Sequence, residues 1–310
     1  MDKNLFFIDC DPGIDDAAAI LLAGADPDAE VLGISAVAGN VPFRHTLANA
    51  LSLSAFAGLN APVYAGADRP LRGEPLTAEF VHGANGLRGH TLPEHSLTAD
   101  PTPAWDALYA AAKAHPHKVT LVALGPLTNV AIAFSKWRDL PTLLKKVVIM
   151  GGATHTGNIT PAAEFNFAAD PEAAEMVLRS SADLHICPLD VTERSYISKE
   201  ELAQLDSQGS PQARFFAAVM GDSVDHYKDD YGVEGAILHD PSAMLYALRP
   251  ALFTAKRCWG AVETEGVYSR GRLVTDAFSD ASENPTCTLV YDVDRPAFAA
   301  AILELMQAYQ

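Results

Sequence analysis

The sequence is poor in cysteine and in basic residues. Its 310 residues include only four cysteines, none in a C-x-x-C pair. This usage indicates neither a disulfide framework nor a zinc knuckle and is typical of reduced thiols. Lysine and arginine total 22 against 39 acidic residues, which gives a formal charge of -17. Because phosphate binding needs clustered Lys and Arg, this balance argues against a nucleic-acid partner, and it suits a site that holds a cation.

Long apolar runs are absent as well. No stretch of the sequence approaches the length of a membrane span. The N-terminal stretch "MDKNLFFIDCD" turns acidic after four apolar residues, which is too short an apolar run for a secretory signal. We therefore expect a cytoplasmic protein without a membrane partner.

The chain does contain a regular alternation of strand-like and helix-like segments. Apolar runs typical of strands buried on both faces of a parallel sheet cover 5–9, 30–39, 118–125, 145–152 and 183–190. Ala- and Leu-rich segments of helical character lie between them, at 15–25, 45–58, 104–115 and 171–180. The alternation predicts an α/β fold with an open, mostly parallel sheet and helices on both faces. It continues past residue 190 without a long linker, so we expect one domain over 1–310.

Polar and glycine residues follow the predicted strands. Asp9 and Asp11 follow the first run, Asn40 the second, Gly125 the third and Gly151 the fourth. Open parallel sheets bind ligands at the carboxyl ends of their strands. We therefore expect these residues to converge on one site.

The most unusual stretch is "DCDPGIDD", with four aspartates at positions 9, 11, 15 and 16. At about 4 Å two carboxylates repel by roughly 4 kcal/mol at an effective dielectric of 20. Taken singly, Asp15 and Asp16 fit as caps at the start of a helix, and Asp9 and Asp11 as turn residues. Taken together, oxygen ligands without Cys or His favour a hard cation such as Ca²⁺ or Mg²⁺.

Two other sites begin with a similar pattern. A calcium loop of the EF-hand type needs a bidentate Glu at its twelfth position, which is Ile20 when counted from Asp9, so this interpretation fails. A Mg²⁺-dependent phosphatase with Asp9 as nucleophile also starts with a strand and D-x-D, and it stays open from this stretch alone.

A longer set of motifs resembles the inosine–uridine-preferring nucleoside hydrolase family. The stretch "DCDPGIDDA" is similar to that family's N-terminal signature. Further motifs agree in the same order over most of the chain: "AGN" (38–40), "HGANGL" (82–87), "ALGPLTN" (123–129), "VIMGG" (148–152), "GNITPAAEFNFAADPEAA" (157–174), "LHDP" (238–241) and "YDVDR" (291–295). The resemblance implies hydrolysis of the N-glycosidic bond of a ribonucleoside to ribose and free base, and a homodimer or homotetramer.

The resemblance also implies a calcium site and a base. Asp11 would activate a water on the metal, and Asp9 resembles a buried supporting acid. The family often has Thr where this chain has Leu124, but the ligand there is the main-chain carbonyl. The implied Ca²⁺ ligands are Asp11, Asp15, Asp16, Asp240 and the carbonyl of Leu124. Residue chemistry alone fits Ca²⁺ or Mg²⁺, so calcium comes from the resemblance.

The substrate contacts come from the same comparison. The residues implied to bind the sugar are Asp15, Asn40, Met150, Asn158, Glu164 and Asn166. Sugar hydroxyls need such partners, because an unpaired buried polar group costs about 1–3 kcal/mol. Without the other motifs, "AEFNF" fits equally well as an irregular loop. His239 would donate a proton to the leaving base, and His82 would line the base side.

Fewer sequence features indicate which nucleobase the protein prefers. The segment 225–232 offers Tyr227 and Tyr231 as base contacts, or else it is an ordinary helix face. The chain most resembles the pyrimidine-preferring ribonucleoside hydrolases, and no tryptophan lies beside His82 to sandwich a purine. A purine-preferring or broad-specificity hydrolase is the alternative within the family. A non-catalytic nucleoside-binding protein is a further alternative, against which the presence of Asp11 and His239 argues.

Overall fold

The computed structural model describes residues 3–224, 233–277 and 284–309. Its strands are β1 Asn4–Cys10, β2 Ala29–Ala36, β3 Val63–Ala65, β4 Val119–Ala123, β5 Lys146–Met150, β6 Leu184–Cys187, β7 Tyr196–Ser198, β8 Gly235–Ile237, β9 Phe253–Cys258, β10 Gly260–Val262, β11 Leu273–Thr275 and β12 Cys287–Val293. Its helices are α1 Ile14–Ala25, α2 Phe43–Phe56, α3 Glu79–His82, α4 Ala104–Ala114, α5 Thr128–Lys136, α6 Leu140–Leu143, α7 Phe165–Ala169, α8 Pro171–Leu178, α9 Leu189–Thr192, α10 Lys199–Gln208, α11 Pro211–Gly221, α12 His239–Leu248 and α13 Arg295–Met306. Short 3-10 helices occupy Pro250–Leu252 and Gln307–Tyr309.

The main sheet has eight strands in the order β3-β2-β1-β4-β5-β6-β12-β9. Neighbouring strands are parallel except for β12 and β9, which pair antiparallel at one edge. The chain runs outward from β1 to β2 and β3, and then returns to the other side of β1 with β4. This reversal between β1 and β4 is the place where open α/β sheets bind ligands.

Helices cover both faces of the sheet, as predicted. Along β1, Phe6 and Ile8 point into the core that contains α1, α11 and α12, whereas Phe7 points into the core that contains α4, α5 and α8. Neighbours on β4 divide in the same way, with Val122 on the first side and Leu121 on the second. Successive side chains of a strand point to opposite faces, so a run of apolar residues is buried on both.

The predicted strands are confirmed, but most are shorter than the apolar stretches of sequence that predicted them. The run 30–39 ends as a strand at Ala36, 118–125 at Ala123, and 145–152 at Met150. The residues after these ends leave the sheet, and Leu124 and Asn40 become part of a cavity wall. The sequence pattern could not mark this boundary, because the residues beyond it are buried as deeply as the strands.

The four cysteines are free thiols and all are buried. Cys258 on β9 and Cys287 on β12 are register partners, with their Sγ atoms 3.7 Å apart. Because the two residues are 29 positions apart, the sequence did not predict this contact. Within the described ranges, no helix is long and apolar enough to cross a membrane.

Candidate active site

A cavity of about 320 Å³ opens at the carboxyl ends of β1, β4 and β5. Its wall contains ten of the residues that the sequence predicted: Asp15, Asn40, His82, Leu124, Met150, Asn158, Glu164, Asn166, His239 and Asp240. It also contains five that were not predicted: Ala78, Phe80, Val81, Ile159 and Phe165. The cavity is therefore acidic and amide-rich, with an apolar rim.

Asp11 lies behind this wall and is fully buried. Its Oδ2 accepts a 2.7 Å hydrogen bond from the backbone N–H of Asn40. Its carboxylate fits between two glycines, since a Cβ on Gly39 would lie 2.0 Å from Oδ2 and a Cβ on Gly125 would lie 2.4 Å from Oδ1. Oδ1 is buried and has no hydrogen-bond partner among the described residues.

Asp16 caps the N-terminus of α1, which confirms the capping interpretation for this residue. Its carboxylate accepts the backbone N–H groups of Asp11 at 3.1 Å and of Gly13 at 3.0 Å. It also accepts a 3.1 Å bond from Nδ2 of Asn40 and shares a hydrogen bond with Asp240. Capping therefore explains part of the aspartate cluster, and it leaves Asp11, Asp15 and Asp240 to be explained.

These acidic groups disfavour each other's charge. Burial, followed by repulsion from Asp16, raises the pKa of Asp15 to about 8 and the pKa values of Asp11 and Asp240 well above the ordinary range. Oδ1 of Asp15, like Oδ1 of Asp11, is buried without a partner in the described part of the chain. A cation would reverse this repulsion. Across residues 3–224, 233–277 and 284–309, however, no three His, Cys, Asp or Glu side chains form a ready metal-binding group.

Asp9 is almost completely buried, as Asp11 and Asp16 are. Its Oδ1 accepts a 2.7 Å bond from Nδ2 of Asn129 and a further bond from the Ser35 hydroxyl. Burial raises its pKa to about 7, against the lowering effect of these two bonds. Asp9 is 1% exposed and does not line the cavity. Its partners Ser35 and Asn129 do not line the cavity, whereas Asp11 bonds to the cavity residue Asn40. This difference favours Asp11 over Asp9 as the reacting carboxylate and argues against the phosphatase alternative.

The opposite wall is built around Glu164, which caps α7. Its carboxylate accepts the N–H groups of Gly152 and Asn166 at 2.8 Å each and of Phe167 at 3.2 Å. Burial nevertheless raises the pKa of Glu164 to about 7. The "AEFNF" stretch is therefore a capped short helix, and the irregular-loop alternative is wrong.

Two amides complete this wall. Nδ2 of Asn166 donates to the carbonyl of Leu124 at 2.7 Å and to the carbonyl of Met150 at 3.1 Å. The Leu124 carbonyl, a predicted metal ligand, thus already accepts one hydrogen bond, and a carbonyl oxygen has two lone pairs. Oδ1 of Asn158 accepts the N–H of Phe165 at 2.9 Å.

Both predicted histidines line the cavity. Nδ1 of His82 accepts the backbone N–H of Ile14 at 3.2 Å, so this ring also caps α1. Burial, helped by the charges of Arg88 and His239, lowers the pKa of His82 to about 3. Nδ1 of His239 lies 2.9 Å from the hydroxyl of Thr192, and burial lowers the pKa of His239 to about 4.

The predicted base contacts Tyr227 and Tyr231 lie outside the described residues. Sequence reasoning also missed several groups that hold the site together. Asn129 was visible only as the last letter of "ALGPLTN", and Thr192 carried no motif at all. Both contact site residues that are far away in the chain, Asp9 and His239 respectively.

Comparisons with known proteins cover almost the entire chain. The family model described as inosine-uridine preferring nucleoside hydrolase matches residues 6–300. Pyrimidine-specific ribonucleoside hydrolases RihA from Citrobacter koseri and Salmonella typhimurium are each 39% identical, over 97% of this chain and 97% and 98% of theirs.

Solved structures agree in fold. The plant nucleoside hydrolase PpNRh1 is 32% identical with a TM-score of 0.90, covering 98% of this chain and 99% of that one. The purine-preferring ribonucleoside hydrolase from Gardnerella vaginalis is 28% identical with a TM-score of 0.92, covering 98% of each chain. The aspartate cluster at the end of β1, the sheet order and these matches lead to one conclusion: the chain belongs to the inosine–uridine preferring nucleoside hydrolase family.

Proposed function

We propose that the protein hydrolyses the N-glycosidic bond of pyrimidine ribonucleosides, such as uridine and cytidine, to ribose and free base. One observation carries the proposal: a single cavity at the β1–β4 reversal joins buried carboxylates on one side to a polar wall of Asn158, Glu164 and Asn166 on the other. The names of the relatives at 39% identity support the pyrimidine preference. The fold alone does not support a pyrimidine preference, because the structure of a purine-preferring enzyme matches this chain with a TM-score of 0.92.

We propose further that the carboxylates hold one Ca²⁺. The donor set is made of oxygens, which suits a hard cation. The buried, unpartnered Oδ1 atoms of Asp11 and Asp15 in the described structure have the chemistry of ligand atoms. The residues that would hold the ion are Asp11, Asp15, Asp16, Asp240 and the carbonyl of Leu124. When bound, the ion would lower the pKa of water and orient the sugar hydroxyls.

In the reaction, Asp11 and His239 transfer protons, and other residues of the site hold the reacting groups in position. The attacking oxygen forms a bond to the anomeric carbon as the bond to the base nitrogen breaks, through an oxocarbenium-like sugar. Asp11 takes the proton that the water loses, and the N–H of Asn40 holds its carboxylate in place. The electron pair of the broken bond goes to the base nitrogen, which takes a proton from His239 as the base leaves.

The sugar is held by the polar wall. Asn40, Asn158, Glu164 and Asn166 bind the ribose hydroxyls, with Met150 against the ring. Their backbone partners fix them before substrate arrives, which reduces the cost of ordering them during the reaction. His82 contributes to the base side, next to the apolar rim of Phe80 and Val81.

We also propose that the chain forms a homo-oligomer in the cytoplasm. The family resemblance supports the oligomer, and four buried free thiols support a reducing compartment.

The test is reducing-sugar release from uridine, cytidine, inosine and adenosine at matched concentrations. We expect ribose from all active substrates, with the highest kcat/KM for uridine and cytidine. A higher kcat/KM for inosine or adenosine would contradict the pyrimidine preference. No ribose from any of the four nucleosides would contradict the hydrolase activity itself.

A further inference from the structure

Thr192 contacts the imidazole ring of the cavity residue His239. It is the last residue of α9 and is completely buried. Its Oγ1 lies 2.9 Å from Nδ1 of His239, 47 positions further along the chain. Since His239 lines the cavity and its Nδ1 faces Thr192, contact with a leaving base falls to the other ring nitrogen, Nε2.

The chemistry of this bond depends on which partner donates. A neutral imidazole carries one proton, on Nδ1 or on Nε2, and the partner of one nitrogen decides the form. A threonine hydroxyl can donate or accept. If Thr192 accepted from Nδ1–H, its own hydroxyl hydrogen would be buried without a partner, since within the described residues the hydroxyl has no second hydrogen bond. An unpaired buried donor of this kind costs about 1–3 kcal/mol.

The other cavity histidine, His82, also has a hydrogen-bond partner at Nδ1, and there the donor is not in question. Nδ1 of His82 receives a backbone N–H from Ile14, and an amide N–H can only donate. The proton of a neutral His82 must therefore be on Nε2. If Thr192 donates, both cavity histidines have the same tautomer.

We propose that Thr192 is a positioning residue whose hydroxyl donates to Nδ1 of His239 and thereby keeps the ring proton on Nε2, aimed at the leaving base. This inference rests on the proposed nucleoside hydrolysis. It assigns to a residue outside every recognised motif the task of orienting the leaving-group donor.

The backbone fixes both ends of this bond. The carbonyl of Thr192 accepts the N–H of Ser195 at 3.0 Å, and the carbonyl of Ser195 accepts the N–H of Leu238, the residue before His239, at 2.8 Å. The Ser195 hydroxyl donates to the carbonyl of Val191 at 3.0 Å, which braces the turn after α9. The start of α12 is thus tied to the turn after α9, and the separation of hydroxyl and imidazole is set before substrate binds.

The test compares two substrates in two variants. Uridine needs help for its leaving base, whereas p-nitrophenyl β-D-ribofuranoside has a leaving group that departs without a proton. T192V keeps the shape of the side chain and removes the hydroxyl, and T192S keeps the hydroxyl. T46V is the matched control, because Thr46 is also fully buried and its hydroxyl donates to the carbonyl of Phe43, away from the cavity wall.

We expect T192V to lower kcat on uridine at least ~10-fold more than on the aryl riboside, because leaving-group assistance typically contributes about 10²–10⁴. T192S should restore the wild-type ratio, and T46V should not change it. Equal losses on both substrates in T192V, or a T192S that behaves like T192V, would overturn the inference and leave the hydrolase function standing. A wild-type protein inactive on both substrates would overturn both.

Discussion

A methyl group on Gly125 would collide with the carboxylate that we propose as the base. Gly125 follows β4, and an ideal Cβ there lies 2.4 Å from Oδ1 of Asp11, 2.9 Å from its Cγ and 3.0 Å from Cγ1 of Val37. A Cβ atom essentially never comes closer than 3.0 Å to a non-bonded heavy atom, and ordinary van der Waals contact begins at 3.4 Å. G125A must therefore move the Asp11 carboxylate by about 1 Å or displace the backbone around it, since such clashes are relieved by shifts of this size.

This displacement sets the size of the expected effect. A misplacement of about 1 Å at a reacting group can cost ~10²-fold in rate. Overpacking a buried site costs about 1–3 kcal/mol of stability, which leaves a domain of ordinary stability folded at 25 °C. Because Asp11 acts on the water, the loss should be equal on uridine and on the aryl riboside, unlike the loss in T192V.

The assay is kcat from ribose release, together with thermal unfolding to confirm that the variant is folded. G221A is the matched control, because a Cβ on Gly221, the last residue of α11, meets nothing within 4 Å. Alanine should be neutral there or stabilise the helix by up to about 1 kcal/mol. A folded G125A with the kcat of the wild type would refute the placement of Asp11 as the base.

Two further substitutions separate roles within the site, and a third tests a buried hydrogen-bond cluster of the fold. D11N can keep the bond to the N–H of Asn40 but cannot take a proton, so ribose release should fall about 10²–10⁴-fold while elemental analysis still finds bound metal; near-normal activity would exclude Asp11 as the base. H239A should lose about 10²–10⁴-fold on uridine and much less on the aryl riboside, and equal losses on both would indicate a purely structural ring. D170A removes the acceptor of the Leu71 N–H, the Ala173 N–H and the Thr128 hydroxyl, so the free energy of unfolding in urea should fall by about 1–3 kcal/mol, and an unchanged value would show that these bonds contribute nothing net.

Apolar runs made the sheet and its carboxyl-end site predictable. The run at 5–9 predicts β1, and Asp9 and Asp11 must then lie at its carboxyl end, where β4 brings Leu124 and Gly125 beside them. Periodicity and strand ends are local properties, so the sequence contains them directly. The family resemblance added the distant members of the cavity wall, such as Glu164 and Asp240.

Contacts between buried polar side chains could not be predicted in this way. Asn129 reaches Asp9 across 120 residues, and Thr192 reaches His239 across 47. These pairs depend on how α5 and α9 pack against the sheet, and neither residue type nor spacing indicates the partner. The same holds for the depth of Asp11, because its burial follows from two glycines, Gly39 and Gly125, that contribute no side chain.

The proposed role of the aspartates is to hold a catalytic cation, and chelation is the measurement that tests this role. Ribose release from uridine is measured on the purified protein, again after removal of divalent ions by a chelator, and once more after addition of Ca²⁺. If the aspartates hold a catalytic Ca²⁺, activity is lost on chelation and returns with calcium. Full activity after metal removal, confirmed by elemental analysis, would contradict it.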